Sequence, residues 1–291
     1  MNPDTRLLSV DFEDWHQLVR RRLGLDRWEQ PGPALGRQTD QLLALLEQLG
    51  LRSTFFLLGM AARSHPELVR RIAAAGHEIG CHGDAHRLVS SQTRDEFAGD
   101  IRASRSTIEQ LTGSRPIGYR APAFSITRDT PWAHEVLREE GFAYDASEHE
   151  SPLLRDRGAS DTAGARRLET GTGPLWEFPV AVWRSPWINV PVGGASYWSV
   201  VPTHLVLHGL GAAGPGAGIY LHPYELDPEP LRLRLPQGTP TTQRVRGVVR
   251  TAQRNLARRR APEVLRAIAD RFELVPYGEA YTALSGGVAS P

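Results

Sequence analysis

Short apolar runs take turns with longer helical stretches from residue 7 to residue 145, and this alternation limits the fold more than any other feature of the sequence. Residues 7–10 read as a strand that ends on the acids Asp11, Glu13 and Asp14. Leu42, Leu43, Leu45, Leu46 and Leu49 recur at helical spacing and stop at Gly50, after which residues 53–58 read as a buried strand. Pro66 opens a second helix that stops at Gly76, and residues 77–81 follow as a strand. Thr93 and Glu96 predict a capping box for a helix to about Leu111, and a strand is expected at 117–120. A helix at about 131–140 and a strand at 142–145 complete the series. Strands and helices in this order imply parallel βαβ units, arranged either as a barrel or as a doubly wound sheet.

The pattern fails over 151–174, which reads as a long surface loop or insertion. Regular signals return as strands at 175–182 and 218–222, helices near 241–260 and 263–271, and a last strand at 273–275. There is no internal repeat. A chain of 291 residues is long enough for one large α/β domain, and one domain is expected over 1–291, with its core at about 7–281.

The net charge of +1 supplies no global field that would attract nucleic acid. All 34 basic residues are arginine, which removes Schiff-base chemistry and the phosphate-binding lysine of a P-loop. The single cysteine, Cys81, cannot form an internal disulfide and is expected to pack in the core. Residues 1–9 carry no basic region followed by an apolar run, and no stretch approaches the length of a membrane span, so the expected location is the cytoplasm.

His82 and His86 form H-x-x-x-H directly after a predicted strand, a spacing at which two imidazoles can meet one cation if the segment turns helically. A hydrolytic metal site also needs a carboxylate ligand, and a second carboxylate to remove a proton from the attacking water. The acids after the first strand can supply both. Arg120 in Tyr-Arg-Ala-Pro (119–122) can orient a carboxylate bidentately, and His222 in Tyr-Leu-His-Pro (220–223) can protonate a departing amine. Both stand at predicted strand ends.

The runs Ser-Val-Asp-Phe-Glu-Asp-Trp (9–15), Cys-His-Gly-Asp-Ala-His (81–86), Arg-Ala-Pro (120–122) and Leu-His (221–222) resemble the NodB-type polysaccharide deacetylases, carbohydrate esterase family four. The phrases Gly-Tyr-Arg-Ala-Pro-Ala-Phe-Ser-Ile (118–126) and Tyr-Leu-His-Pro-Tyr-Glu-Leu-Asp-Pro (220–228) are most similar to the branch linked to bacterial exopolysaccharide and exosortase gene clusters. The resemblance implies a distorted (β/α)7 barrel of the NodB-homology type and a divalent metal, usually zinc. It implies Asp11 as general base, His82 and His86 as metal ligands, Arg120 as the residue that orients Asp11, and His222 as general acid. The backbone N–H of Ala123 would help hold the oxyanion.

Many relatives have two adjacent aspartates at the first motif, whereas here Phe12 follows Asp11. The carboxylate ligand is therefore Asp14 or Glu13. Strand alternation points Glu13 to the side of Asp11, while a turn at Phe12 would swing Asp14 inward, and the shorter arm of Asp14 is preferred. Glu177, in Leu-Trp-Glu-Phe-Pro (175–179), is expected to orient His222.

Trp15, Trp187, Tyr197 and Trp198 are candidates for stacking on sugar faces. Arg246, Arg250, Arg254 and Arg258 recur every four residues on a predicted helix whose other face carries Val245, Val249, Ala252 and Leu256. That stripe is either a solvated face or a contact for a phosphate-bearing substrate or an anionic membrane surface. The expected activity is metal-dependent removal of N-acetyl groups from an acetamido sugar in a glycan, oligosaccharide or lipid- or nucleotide-linked precursor. Hydrolysis of another C–N bond, such as a ureide or formamide, and a catalytically silent carbohydrate-binding module are the alternatives.

Overall fold

The computed structural model describes residues 1–149, 164–184 and 189–286. Its strands are β1 (Thr5–Phe12), β2 (Thr54–Leu57), β3 (Glu78–Cys81), β4 (Gly118–Tyr119), β5 (Tyr144–Asp145), β6 (Arg166–Thr170), β7 (Gly173–Glu177), β8 (Trp183–Arg184), β9 (Asn189–Val190), β10 (Gly218–Leu221) and β11 (Glu273–Val275). Its helices are α1 (Trp15–Arg22), α2 (Leu35–Gln48), α3 (Gly59–Ser64), α4 (Pro66–Ala74), α5 (Arg94–Thr112), α6 (Trp132–Glu139), α7 (Thr203–Ala213), α8 (Thr241–Ala257), α9 (Ala261–Arg271) and α10 (Tyr277–Leu284).

Seven strands run in parallel in the order β10-β1-β2-β3-β4-β5-β7 and make a curled half-barrel sheet. β6 pairs antiparallel with β7 at one end, and β11 pairs in parallel with β1. Beyond β7 the chain turns back toward the opposite edge, where Val180 bridges Gly218. The distorted barrel expected from the sequence is thus present, with its seam crossed by bridges rather than by a full ladder.

Every residue of β1 is buried, as required of a central strand covered on both faces. Helices seal the outside of the sheet through Leu42 and Leu46 of α2, Val69 and Ile72 of α4, Phe97 and Ile101 of α5, and Val264 and Ile268 of α9, all in one core cluster. The capping box on α5 is formed: the Thr93 hydroxyl accepts from the Glu96 N–H at 3.3 Å while the Thr93 N–H donates to the Glu96 carboxylate at 2.8 Å. The helix ends at Gly113, whose φ of +71° suits glycine.

The structure corrects the reading of 151–174 as a loop. Residues 151–163 lie outside the described set, but Arg166–Thr170 and Gly173–Glu177 form an antiparallel hairpin on the sheet edge. The alternating half-burial of β6 puts polar side chains outward, which hid the strand from a search for apolar runs. α7 also went unpredicted, because Gly209 and Gly211 depress its helix propensity. No helix among the described residues is long and apolar enough to cross a membrane.

Candidate active site

The C-terminal ends of four parallel strands bring five side chains to one place. Asp11 lies near the end of β1, Glu13 just beyond it, His82 directly after β3, Arg120 directly after β4, and His222 directly after β10. Asp11, Glu13, His82, His86, Ala123 and His222 share the wall of one cavity of about 250 Å³.

Arg120 is fully buried and spends its donors on four acceptors. Nη1 donates to Asp11 Oδ1 at 2.8 Å and to Ser9 Oγ at 2.6 Å, Nη2 to the Tyr277 hydroxyl at 2.8 Å, and Nε to the Ala146 carbonyl at 3.0 Å. Ser9 and Asp11 are two apart on a strand, so both face the guanidinium. The guanidinium also stands over the Phe56 ring at 4.3 Å. Asp11 is thereby held in one orientation beside a permanent positive charge.

The carboxylate next to the two histidines belongs to Glu13. After β1 the Glu13 N–H bonds the Asp11 carbonyl at 3.1 Å, a tight turn that keeps Glu13 on the Asp11 side. Glu13 Oε2 lies 3.1 Å from His86 Nε2 and 3.7 Å from His82 Nε2, and this buried oxygen has no hydrogen bond. The preference for Asp14 is corrected: its carboxylate caps α1, accepting from the His16 N–H at 2.8 Å and from the Gly32 N–H. A side chain at Gly32 would lie 2.6 Å from His16 Cβ and 2.9 Å from Asp14 Oδ1, so the close approach that occupies Asp14 needs glycine there.

Donor atoms of Glu13, His82 and His86 all lie within 4.8 Å of one another. The His82 Nδ1 is 2.8 Å from the Arg120 carbonyl, which fixes the tautomer with Nδ1–H donating and leaves the Nε2 lone pair for a cation. His86 takes φ +51°, a left-handed conformation that costs a non-glycine residue about 1 kcal/mol and is held by the surrounding structure. Burial alone would raise the Glu13 pKa, but His86, His222 and His82 hold it well below the usual carboxylate range. One anionic oxygen without a hydrogen bond, together with an oriented imidazole and a second one beside it, fits a divalent cation such as zinc.

His222 faces this group, its Nε2 3.2 Å from Glu13 Oε1. Its other nitrogen, Nδ1, is 3.1 Å from Glu225 Oε2, an oxygen that also accepts from the His222 N–H at 2.9 Å. Tyr224 stacks on the imidazole at 5.0 Å. Glu225, not Glu177, therefore orients His222, which corrects the sequence expectation. A carboxylate three residues after a histidine, across a proline, was the available signal.

Glu177 belongs to a separate buried group. His134 Nε2 lies 3.3 Å from Asp145 Oδ2 and 3.6 Å from Glu177 Oε2. Asp145 Oδ1 in turn accepts from the Ser147 hydroxyl, whose oxygen accepts from the Ala121 N–H at 2.8 Å, so the group braces the turn that follows Arg120. Burial opposes the charge on His134, yet Asp145 and Glu177 push its pKa up to about 10. Because the folded value exceeds the unfolded value of about 6.5, this stabilisation is full below about pH 6.5 and is lost as pH rises through about 10. His134→Gln is expected to cost about 3 kcal/mol below that window, since it leaves buried Asp145 without its cation, beside a Glu177 whose pKa burial and Asp145 push up to about 7. Thermal denaturation of both proteins across the window checks this: the gap should close toward high pH, and a constant gap would refute the ion-pair account.

Ala123 and Phe124 both take positive φ, +51° and +53°, and this turn brings Ala123 to the cavity wall. Tyr197 lines the same cavity. Trp15 is buried against Val19, Leu23, Tyr224 and Leu231. Trp198 is fully buried and donates through Nε1 to the Val192 carbonyl at 2.8 Å, which makes it core and corrects its assignment as a sugar platform. Trp187 lies outside the described residues.

The four-arginine stripe is not one surface. Arg258 is buried and donates to the carbonyls of Tyr224, Asp227 and Glu229, and Arg254 turns inward to donate to Ser196 Oγ at 2.9 Å. Only Arg246 and Arg250 stay exposed, and Val245, Val249 and Leu256, which the sequence pattern sets on the other face, are exposed too, as is Val248. Cys81 is buried in the core and its pKa is pushed up to about 12 by burial, so it is unreactive.

The curled sheet thus carries a two-histidine, one-carboxylate group beside an arginine-held aspartate. Residues 31–144 match the polysaccharide deacetylase family, and residues 151–274 match a domain of unknown function, DUF3473. The chain is 34% identical over 107 residues to the peptidoglycan deacetylase of Helicobacter pylori, a match covering 37% of this chain and 36% of that protein. It is 34% identical over 122 residues to the chitooligosaccharide deacetylase of Bradyrhizobium sp. (strain ANU 289), covering 40% of this chain and 52% of that protein. The chain thus spans between about a third and a half of the length of these curated relatives. A Mycobacterium smegmatis protein, solved by crystallography and described as a polysaccharide deacetylase, shares the fold with a TM-score of 0.61 at 19% identity, covering 100% of this chain and 93% of that one. Residues 31–144 are thus similar to the polysaccharide deacetylases, and the fold is shared with the solved structure.

Proposed function

We propose that this chain is a metal-dependent N-deacetylase of an acetamido sugar. The observation that carries the reading is the convergence of Asp11, His222 and the Glu13–His82–His86 group on one cavity, with Asp11, His82 and His222 each held by a partner. Zinc, held by Glu13, His82 and His86, would polarise the acetamide carbonyl and make an attacking water more acidic.

Asp11 accepts the proton of that water, and Arg120 keeps its carboxylate aimed. The Ala123 N–H, presented by the left-handed turn, donates to the oxygen that gains charge as the carbonyl is attacked. His222 delivers a proton to the amine nitrogen as its bond to the acetyl carbon breaks, while Glu225 fixes which ring nitrogen faces the substrate. Acetate release from N-acetylated chito-oligosaccharides and peptidoglycan fragments tests the reading. Activity should vanish with a chelator and return with zinc; a zinc-loaded protein that releases no acetate from any acetamido sugar would defeat it.

The substrate setting is proposed as exopolysaccharide synthesis in the cytoplasm, on a lipid-linked or nucleotide-linked precursor. What supports the lipid-linked form is the outer face of α8, where Val248 is 67% and Leu256 64% exposed beside Arg246. A basic helix with exposed apolar side chains suits an anionic bilayer surface. Co-sedimentation with phosphatidylglycerol vesicles should occur and should fall several-fold in Val248→Asp/Leu256→Asp; equal recovery of variant and wild type would rule the contact out.

A further inference from the structure

Beside the cavity that holds Asp11 and the histidines lies a second hollow of about 230 Å³. One wall is α1, through Trp15 and Arg22, and the other is α8, through Arg250 and Arg254, with Tyr224 between them. Glu13, Arg22, Ser196 and Arg254 line both spaces, so the two are continuous. A sugar whose acetamide sits against Asp11 would extend its neighbouring group into the second hollow.

The chemistry of this hollow is one-sided. It presents three guanidinium groups, and the one acid on its wall, Glu13, is turned to the histidines. Several exposed arginines elsewhere on the surface sit against acids, as Arg63 does with Asp84, Arg71 with Asp40, and Arg94 with Glu139, whereas here three guanidiniums share one concavity. Among the described residues Arg22 and Arg250 have no hydrogen bond or ion pair. Arg254 is held by Ser196 Oγ at 2.9 Å and lies 5.8 Å from the centre of the Tyr224 ring, which leaves the rest of its fork of donors for another acceptor. Several guanidiniums in a concavity recognise a carboxylate or a phosphate through charge-assisted, bidentate hydrogen bonds.

We propose that this hollow is an anion subsite, which binds a carboxylate or phosphate carried next to the acetylated sugar. The inference rests on the deacetylase reading and sharpens it. The substrate is then an acidic glycan or a phosphate-linked acetamido sugar rather than a neutral chitin-like chain. The mouth of the catalytic cavity selects for charge, and the acetamide is brought to Asp11 by an anchor one group away.

The test is calorimetric titration of the zinc-loaded Asp11→Asn protein, which binds substrate without consuming it, with three ligands. These are neutral tetra-N-acetylchitotetraose, a hyaluronan tetrasaccharide that carries carboxylates, and UDP-N-acetylglucosamine, which carries a diphosphate. At least one anionic ligand should bind about tenfold or more tightly than chitotetraose, a margin that one charge-assisted contact supplies. The margin should fall to about onefold in the background Arg22→Gln/Arg250→Gln and shrink as salt is raised. A tighter hyaluronan fragment assigns a sugar carboxylate, and tighter UDP-N-acetylglucosamine assigns a phosphate. Equal binding of all three ligands overturns the proposal, as does a preference that survives the double substitution. If Asp11→Asn does not fold, the ratio of wild-type KM values for the same compounds gives the same decision. A charge preference that depends on Arg22 and Arg250, with no acetate released by the wild type, would sink the deacetylase reading while leaving the anion subsite standing.

Discussion

Asp11→Asn is expected to lower acetate release by about a hundred- to ten-thousand-fold while zinc stays bound, because the variant keeps the shape of the side chain but can no longer accept a proton from water. The amide oxygen can still accept from Arg120 Nη1, and the Ser9, Tyr277 and Ala146 oxygens continue to hold the guanidinium in place. The buried ion pair is nonetheless broken, at a cost of about 3 kcal/mol, so the melting temperature should fall together with kcat. Kinetics and metal content measured on the same preparation separate the two effects. Near wild-type turnover in a folded, zinc-loaded variant would show that another group is the base.

The second large effect distinguishes the two adjacent acids. Glu13→Gln is expected to weaken zinc binding by more than about a hundredfold, beyond the loss usual for a supporting partner of a ligand, and to remove activity with it. Asp14→Asn should keep zinc and lose about 1 kcal/mol of stability or less, since its carboxylate caps α1 rather than facing the histidines. Metal analysis of both purified variants decides the matter. Zinc retained by Glu13→Gln and lost by Asp14→Asn would reverse the assignment drawn from the geometry.

These two acids also mark where sequence reasoning ran out. Asp11, His82, Arg120 and His222 were findable because each follows an apolar run, and in a parallel sheet such positions crowd together at one end of the strands. Whether Glu13 or Asp14 turns inward depends on Gly32, which docks its backbone on Asp14 from a loop remote in sequence. The partner of His222 was hidden differently. Glu177 stood in a strand-like phrase and drew attention, while Glu225 lay three residues from the histidine it holds. On α8 the four arginines read as one outward stripe, yet the carbonyls of Tyr224, Asp227 and Glu229 draw Arg258 inward while valines stay outside. Helical periodicity reports two faces and does not say which one the rest of the chain will meet.

The place of β1 in the sheet sets the order in which the molecule can be assembled. Its residues 7–10 pair with 218–221, and its residues 5–7 pair with 273–275, so β1 waits for strands made much later in synthesis. Until then one edge of this buried strand stands open to any other extended chain, in a topology whose long loops close slowly. The nascent protein can gather Glu13, His82 and His86 well before His222 is made. A chain released early would therefore hold the ligands without the proton donor, and its exposed edge would direct it toward aggregation or a chaperone.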